Sequence, residues 1–153
     1  MTLPIHVTNS IRSQNVDTSR REEAVWLTVT DQFNIRQFLA FADTGRITYP
    51  CQLIQLLRRK LLVARCADNP APGNLATIGR QVRYSLDGLR VCNGLLAVGL
   101  ISSVGEVPIH SMAGATLIGM SVGQSATFLG SSGVTRTITL IEVSSCHLRS
   151  TSA

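Results

Sequence analysis

The sequence predicts an α+β protein in which a short antiparallel helical hairpin precedes an antiparallel sheet of four to five strands with one short helix. Two patterns lead to this prediction. Apolar residues recur at helical spacing in two segments between residues 31 and 64, and they alternate at strand spacing between residues 78 and 143. A Pro/Gly-rich stretch separates the two patterns. The hydrophobic fraction of 44% is sufficient for a core.

Both ends of the chain are predicted to be flexible tails, residues 1–25 and 147–153. The first is rich in Ser, Thr, Asn, Arg and Glu, so it cannot bury enough apolar area to offset the entropy lost on ordering. The apolar segment 26–29 would anchor this tail, with Thr30 or Asp31 as the cap of the helix that follows.

A helical hairpin is predicted over residues 26–68. The first helix runs from Asp31 to about Ala42, and the second begins near Thr48 with Pro50 in its first turn. Each helix carries one apolar stripe: Ile35, Phe38, Leu39 and Ala42 on the first, Leu53, Leu57, Leu61 and Ala64 on the second. Two such helices joined by a short loop bury their stripes on each other as an antiparallel pair.

A linker at residues 69–75 leads to a second predicted domain, residues 76–146. A short helix in this domain is predicted to begin at Ser111 as its N-cap and to end at Gly119. Residues 99–108 are either a loop or a strand interrupted by Gly105. The other strands form two hairpins, residues 78–86 with 89–101 around the turn Asp87-Gly88, and residues 125–129 with 135–143 around the turn 130–133.

Basic residues outnumber acidic residues by 14 to 9, which gives a net charge of +5 and favours an acidic partner surface or a phosphate backbone. Most of this charge lies between residues 31 and 67 and is either a solvated helix face or a partner surface. Direct sequence-specific reading of nucleic acid is not expected, because no recognition-helix motif accompanies the charge. The basic residues between residues 31 and 67 are Arg36, Arg46, Arg58, Arg59, Lys60 and Arg65, and the acidic residues there are Asp31 and Asp43.

The remaining composition predicts a cytoplasmic protein without cofactor or metal. Four cysteines, Cys51, Cys66, Cys92 and Cys146, are too far apart for a zinc or redox motif and are expected to be buried, reduced thiols. The three histidines are scattered and no Gly-Lys-Ser/Thr phosphate loop is present. No membrane span is predicted, because the sequence has no apolar run of about 18 residues.

Residues 111–124 carry the most specific motif. The segment resembles the signature of the C-terminal domain shared by the Gre transcript-cleavage factors and the regulator of nucleoside diphosphate kinase. Met112 stands where that family usually has Pro, and Thr116 where it usually has Ala. A weaker resemblance extends over residues 30–143. The matching positions are Ser111, Gly114, Leu117, Ile118, Gly119, Val122, Gly123 and Gln124.

The resemblance implies an FKBP-like C-terminal domain, a coiled-coil arm and binding to bacterial RNA polymerase at its secondary channel. The positions that match the family's docking residues are His110, Ser111 and Met112. The arm and its tip would present Asp43, Arg46, Arg58, Arg59 and Lys60. The expected protein is a non-enzymatic transcription regulator.

Stimulation of transcript cleavage is not expected. In the Gre factors, acidic residues at the tip of the arm help to hold a catalytic Mg²⁺, and this hard cation requires carboxylate oxygens. The tip here offers Asp43 alone, beside Arg46. A helix of about 12 residues spans only about 18 Å. The short-armed regulator of nucleoside diphosphate kinase is therefore the closer match.

Other interpretations remain open at this point. Ser111 is also explained as a plain helix cap, without a docking role. The chain could be a repurposed interaction module that binds another acidic partner through its basic hairpin. A peptidyl-prolyl isomerase is suggested only by analogy of fold. The aromatic fraction of 5% argues against the aromatic-lined pocket that such an enzyme needs.

Overall fold

A computed structural model describes residues 24–99, 103–130 and 132–145. The chain is α+β, with three helices and a five-stranded sheet among these residues. Both predicted tails lie mainly or wholly outside the described residues. The helices are α1 (Val29–Asp43), α2 (Cys51–Val63) and α3 (Met112–Leu117). The strands are β1 (Trp26–Leu27), β2 (Arg65–Cys66), β3 (Arg80–Leu86), β4 (Arg90–Ala97), β5 (Glu106–Pro108), β6 (Ser125–Leu129) and β7 (Thr135–Ser145).

Helix α1 begins two residues earlier than the sequence pattern predicts. The Thr28 hydroxyl accepts a hydrogen bond from the Asp31 N–H at 3.0 Å, and the Asp31 carboxylate accepts one from the Thr28 N–H at 3.4 Å. This reciprocal pair is a capping box, so Thr28 is the cap and Asp31 lies inside the first turn. The prediction of Thr30 or Asp31 as the cap is therefore wrong. Pro50 likewise precedes α2 rather than lying within it.

The sheet is mixed, and the prediction of a purely antiparallel sheet is wrong in one strand. Its order is β5-β4-β3-β7-β6, and β5 runs parallel to β4. After β4 the chain turns back, and β5 then runs in the same direction as β4 before α3 begins. The alternation of apolar residues within a strand does not reveal the direction of that strand relative to its neighbour. The other neighbours are antiparallel. Asp87 and Gly88 both have positive φ and are the central residues of the β3–β4 turn, which the Leu89 N–H closes by donating to the Leu86 carbonyl at 3.0 Å.

Two buried clusters form the core of the part of the chain that the structure describes. The first joins α1 and α2 to the segment around α3, and the second joins one face of the sheet to the same helix. The first contains Leu27, Ile35, Phe38, Leu39, Leu53, Leu57, Ile109, Ala115 and Ile118. The second contains Ala76, Val82, Tyr84, Leu96, Val107, Leu117, Met120, Ile138 and Leu140. Helix α3 thus contributes side chains to both clusters.

The segment between the hairpin and the sheet is held by Arg80 at the start of β3. The Arg80 guanidinium donates to the carbonyl oxygens of Pro72 at 2.5 Å, of Leu75 at 2.9 Å and of Ala71 at 2.9 Å. The Ala76 N–H also donates to the Met120 carbonyl at 2.9 Å. The predicted linker and the residue after it are therefore held by hydrogen bonds to β3 and to the segment that follows α3.

Cysteine burial differs from the prediction. Cys51 and Cys66 are exposed and Cys92 is half-buried, and all three are free thiols. Cys51 opens α2 on its outer side, and Cys66 lies in the short strand β2, both of whose residues are exposed. Cys146 lies outside the described residues. No helix within the described ranges is long and apolar enough to cross a bilayer.

Candidate functional site

The segment 109–119, which we call the signature turn and helix, is organised by the Ser111 hydroxyl. This hydroxyl accepts a hydrogen bond from the Gly114 N–H at 3.0 Å and donates one to the Pro108 carbonyl at 2.7 Å. The prediction that Ser111 is the N-cap of this helix is confirmed. Because the side chain already donates its only proton within the chain, its first role is to fix the shape of the turn.

Two glycines of the signature are required for close packing. A Cβ atom on Gly114 would overlap the Pro108 carbonyl group, so the helix can approach β5 only because this position lacks a side chain. Gly119 has a φ of +87° directly after the helix, and the Leu27 side chain and the Trp26 carbonyl lie against it. Positive φ is the usual conformation of a glycine that terminates a helix.

His110 lies against the helical hairpin. Its ring is stacked on Phe38 of α1 with centroids 6.0 Å apart, and it is tilted against Tyr49 with centroids 6.1 Å apart. Phe38 and Tyr49 are themselves in edge contact at 4.8 Å. His110 Nε2 is 2.8 Å from the Gly99 carbonyl oxygen. We call Phe38, Tyr49 and His110 the aromatic cluster; residue spacing did not indicate it.

Met112 is half-buried and packs against the first core cluster. His110 and Ser111 are half-buried too, so none of the three predicted docking residues is fully exposed. The structure therefore brings the signature turn into contact with the hairpin, two regions that the sequence treats as separate domains. Whether these residues contact a partner stays a prediction.

Lys60 is buried and does not belong to an exposed basic cluster. Its ammonium donates hydrogen bonds to the carbonyl oxygens of Thr116 at 2.5 Å and Ile118 at 2.6 Å. These carbonyls lie at the C-terminal end of α3, where no intrahelical donors remain. Burial lowers the pKa of Lys60 from 10.5 to about 7. The prediction that Lys60 is part of the exposed arm is wrong.

A sequence signal for this burial exists. Lys60 lies three positions after Leu57 and seven after Leu53, so it falls on the buried stripe of α2. A long alkyl chain allows a lysine on an apolar face to carry its ammonium to polar atoms beyond it. The acceptors lie 56 and 58 positions away in sequence, which is why the sequence does not identify them.

The hairpin end carries one carboxylate, Asp43, and it is paired. Arg58 Nη2 lies 2.9 Å from Asp43 Oδ1, and the two side chains are 56% and 64% exposed. Arg46, in the connection between α1 and α2, and Arg59, beside Arg58, are both exposed. The predicted arm residues are therefore divided: Asp43, Arg46, Arg58 and Arg59 face solvent, and Lys60 does not.

The outer surface of the hairpin is basic. Asp31, the other acidic residue between residues 29 and 66, is buried and accepts a hydrogen bond from the Ile78 N–H at 3.1 Å. Burial raises the pKa of this carboxyl group. Asp43 is then the only exposed acid beside the exposed arginines of this part of the chain, which are Arg36, Arg46, Arg58, Arg59 and Arg65. Within the described residues, no group of three His, Cys, Asp or Glu side chains could hold a metal ion.

A solved structure shares this architecture. The prokaryotic transcription elongation factor GreA/GreB from Nitrosomonas europaea matches with a TM-score of 0.59 and 17% identity, over 78% of this chain and 98% of its own. The chain has a Gre-type fold. The recognition of this fold from residues 111–124 is confirmed. No family model and no curated protein matches the sequence.

Two further structures match less well. The GreA factor homolog 1 (Gfh1) protein of Thermus thermophilus has a TM-score of 0.36 and 14% identity, over 79% of this chain and 99% of that one. Thermus aquaticus Gfh1 has a TM-score of 0.41 and 13% identity, over 79% and 98%. On the Gre-type fold of this chain, the signature turn and helix lie between hairpin and sheet, and Lys60 and the aromatic cluster connect them.

Proposed function

We propose that this protein is a non-enzymatic transcription regulator that binds bacterial RNA polymerase at its secondary channel without stimulating transcript cleavage. The Gre-type fold supports the class, since a solved structure that shares it is a transcription elongation factor. The short hairpin supports the resemblance to the regulator of nucleoside diphosphate kinase, as does the lack of an acidic pair. The FKBP-like character of the sheet domain belongs to the same proposal.

The observation that carries the non-cleaving role is the pairing of Asp43 with Arg58 at 2.9 Å. A Mg²⁺ ion bound at a hairpin tip needs carboxylate oxygens free to coordinate it, usually from more than one residue. Here the one exposed carboxylate of the hairpin is held by a guanidinium, and Arg46 adds a second positive charge nearby in sequence. Electrostatic repulsion and the lack of a second acid both disfavour a metal at this tip.

The proposed docking surface is the signature turn. Ser111 fixes the conformation of this turn through its two hydrogen bonds, and His110 and Met112 supply the side chains that remain partly accessible. The same two side chains also pack against the hairpin. A partner that binds the turn would therefore contact the end of the domain from which the hairpin projects.

Binding is tested by retention of purified core RNA polymerase on the immobilised protein, with a known secondary-channel factor as competitor. We expect retention that the competitor displaces and that His110→Ala with Met112→Ala weakens at least several-fold. Leu89→Ala is the matched control. Leu89 is 91% exposed and lies in the turn before β4. The signature turn follows β5, which pairs with the opposite end of β4, so the two sites lie at opposite ends of that strand. Absence of retention at micromolar protein in low salt would overturn the proposal.

The cleavage half of the proposal has its own measurement. Stalled elongation complexes incubated with the protein and Mg²⁺ are expected to show no more transcript cleavage than polymerase alone. A marked increase, lost on Asp43→Asn, would show that Asp43 binds a metal despite Arg58 and would contradict the non-cleaving role.

A second candidate function is supported by the basic outer surface of the hairpin. An interaction module that binds an acidic partner would depend on exposed arginines and would weaken strongly with salt. Arg46→Ser with Arg59→Ser would then abolish partner binding, and the His110 and Met112 changes would leave it intact. If the His110 and Met112 changes instead weaken binding more than the two arginine changes do, the result supports docking through the signature turn.

A further inference from the structure

The two edges of the five-stranded sheet differ in how they are protected. One edge, β5, has three residues, of which Glu106 is charged and Pro108 has no N–H. The other edge, β6, has five residues, Ser125–Leu129, with neither a charge nor a proline. Proteins usually protect exposed strand edges with charges, prolines, bulges or very short strands. Only β5 carries such features.

The hydrogen bonds at both ends of β6 establish which backbone groups point outward. The Leu140 N–H donates to the Gln124 carbonyl at 3.0 Å, and the Gly130 N–H donates to the Val134 carbonyl at 2.9 Å. The register between these points is continuous, so even-numbered residues of β6 bond to β7. In an antiparallel pair the alternate residues direct their N–H and C=O groups away from the neighbour. These are Ser125, Thr127 and Leu129.

No backbone hydrogen bond within the described part of the chain uses the outward groups of these three residues. Their side chains lie on the sheet face opposite α3, where they are exposed, while Ala126 and Phe128 pack into the second core cluster. Among the residues that the structure describes, the row of donors and acceptors at this edge therefore has no strand partner.

The surroundings of β6 suit an approach by an identical molecule. No charged residue stands between His110 and Arg136, although the chain as a whole carries a net charge of +5. β6 and the segments that flank it therefore carry no charged side chain through which two copies would repel one another at close range. Arg136 on β7, the cross-strand partner of Phe128, is paired with Asp87 at 2.6 Å. Leu129 and Val134, 41% and 58% exposed, add apolar surface at the end of this hairpin.

We propose that β6 pairs with β6 of a second copy of this chain across a two-fold axis at Thr127. In this register Thr127 faces its own equivalent, and Ser125 faces Leu129 of the second copy. All three residues have the same orientation, so every outward N–H and C=O meets a partner. The sheet then continues from one copy into the other, and the closed symmetry limits assembly to a dimer.

The mass of the full-length protein is measured by sedimentation velocity and light scattering from micromolar to near-millimolar concentration. We expect a monomer–dimer equilibrium. Thr127→Pro removes an outward N–H but no hydrogen bond to β7. It is therefore expected to reduce the association constant of the dimer at least tenfold while the circular dichroism spectrum stays unchanged. A protein that is monomeric at every concentration overturns the proposal, and so does a folded Thr127→Pro variant with an unchanged constant.

Charge variants test the register and keep the question decidable if Thr127→Pro does not fold. Across the axis, Thr127→Lys and Thr127→Glu each place like charges opposite each other, so each alone is expected to weaken the dimer by several-fold. An equimolar mixture is expected to restore it as a heterodimer. Thr137→Lys, which changes the neighbour of Thr127 on β7, is the matched control and leaves association intact. Failure of the mixture to associate would exclude the axis at Thr127.

Discussion

Lys60 shows how one residue can connect two distant parts of this fold. It is the only lysine in the sequence, and its ammonium is buried where α2 meets the end of α3. The short helix α3 leaves its last carbonyl groups without intrahelical donors, and the ammonium supplies donors to two of the carbonyls there. A cost accompanies this arrangement, because burial disfavours the charged form of the amine.

The pH dependence of stability follows from the lowered pKa of Lys60. Between about 7, its pKa in the folded protein, and the ordinary value of 10.5, the unfolded chain binds a proton that the folded protein does not. The free energy of unfolding therefore rises with pH in this window, by at most about 1.4 kcal/mol per pH unit. Urea unfolding at a series of pH values measures this rise.

Lys60→Met is expected to remove the rise, because methionine does not titrate. Arg59→Met, which changes the exposed neighbour, is expected to keep it. The same rise in Lys60→Met as in the unchanged protein would show that another group titrates in this window.

Helix α1 illustrates how one element serves two environments. Its inner face places Ile35, Phe38 and Leu39 in the first core cluster, and Phe38 also contacts Tyr49 and His110. The outer face carries Phe33, which is 58% exposed, against 6% for Phe38. The two phenylalanines therefore provide a matched pair on one helix.

Phe38→Ala is expected to destabilise the protein by about 3 to 5 kcal/mol, because it removes a buried ring and leaves a cavity against the signature turn. Phe33→Ala is expected to change stability by no more than about 0.5 kcal/mol, as exposed substitutions usually do. Chemical denaturation of both variants gives the comparison. Equal losses would mean that the inner face of α1 does not pack on the signature turn.

At the scale of the whole molecule, α3 joins the two cores. Ala115 and Ile118 lie in the first cluster and Leu117 in the second. The hydrogen bonds of Lys60 and of Asp31 cross the same boundary, from the hairpin to the signature helix and to Ile78 before β3. The hairpin is therefore attached along its base and does not stand free of the sheet domain.

We expect the hairpin and the sheet to unfold in one cooperative transition. Trp26 is the only tryptophan and lies in β1 at the base of the hairpin, so its fluorescence reports that region, while far-ultraviolet circular dichroism reports all secondary structure. Coincident transitions by the two probes are the expected result. Separate midpoints would show that the hairpin opens while the sheet remains folded.

The sequence by itself determined the elements whose causes are local. The apolar spacing of α1 and α2, the Asp87-Gly88 turn, the Ser111 cap and the glycine after α3 each depend on residues a few positions apart, and all are present in the structure. The spacing of matched positions in residues 111–124 was also sufficient to identify the fold.

Only the tertiary structure decided the direction of β5, the burial of Lys60 and the contact between His110 and the hairpin. Each of these depends on groups far apart in the chain, because a strand direction, a buried ammonium and a stacked ring are stabilised by whichever atoms the folded chain brings beside them. Local residue patterns specify which faces are apolar, but the partner of each face is chosen by the packing of the whole chain.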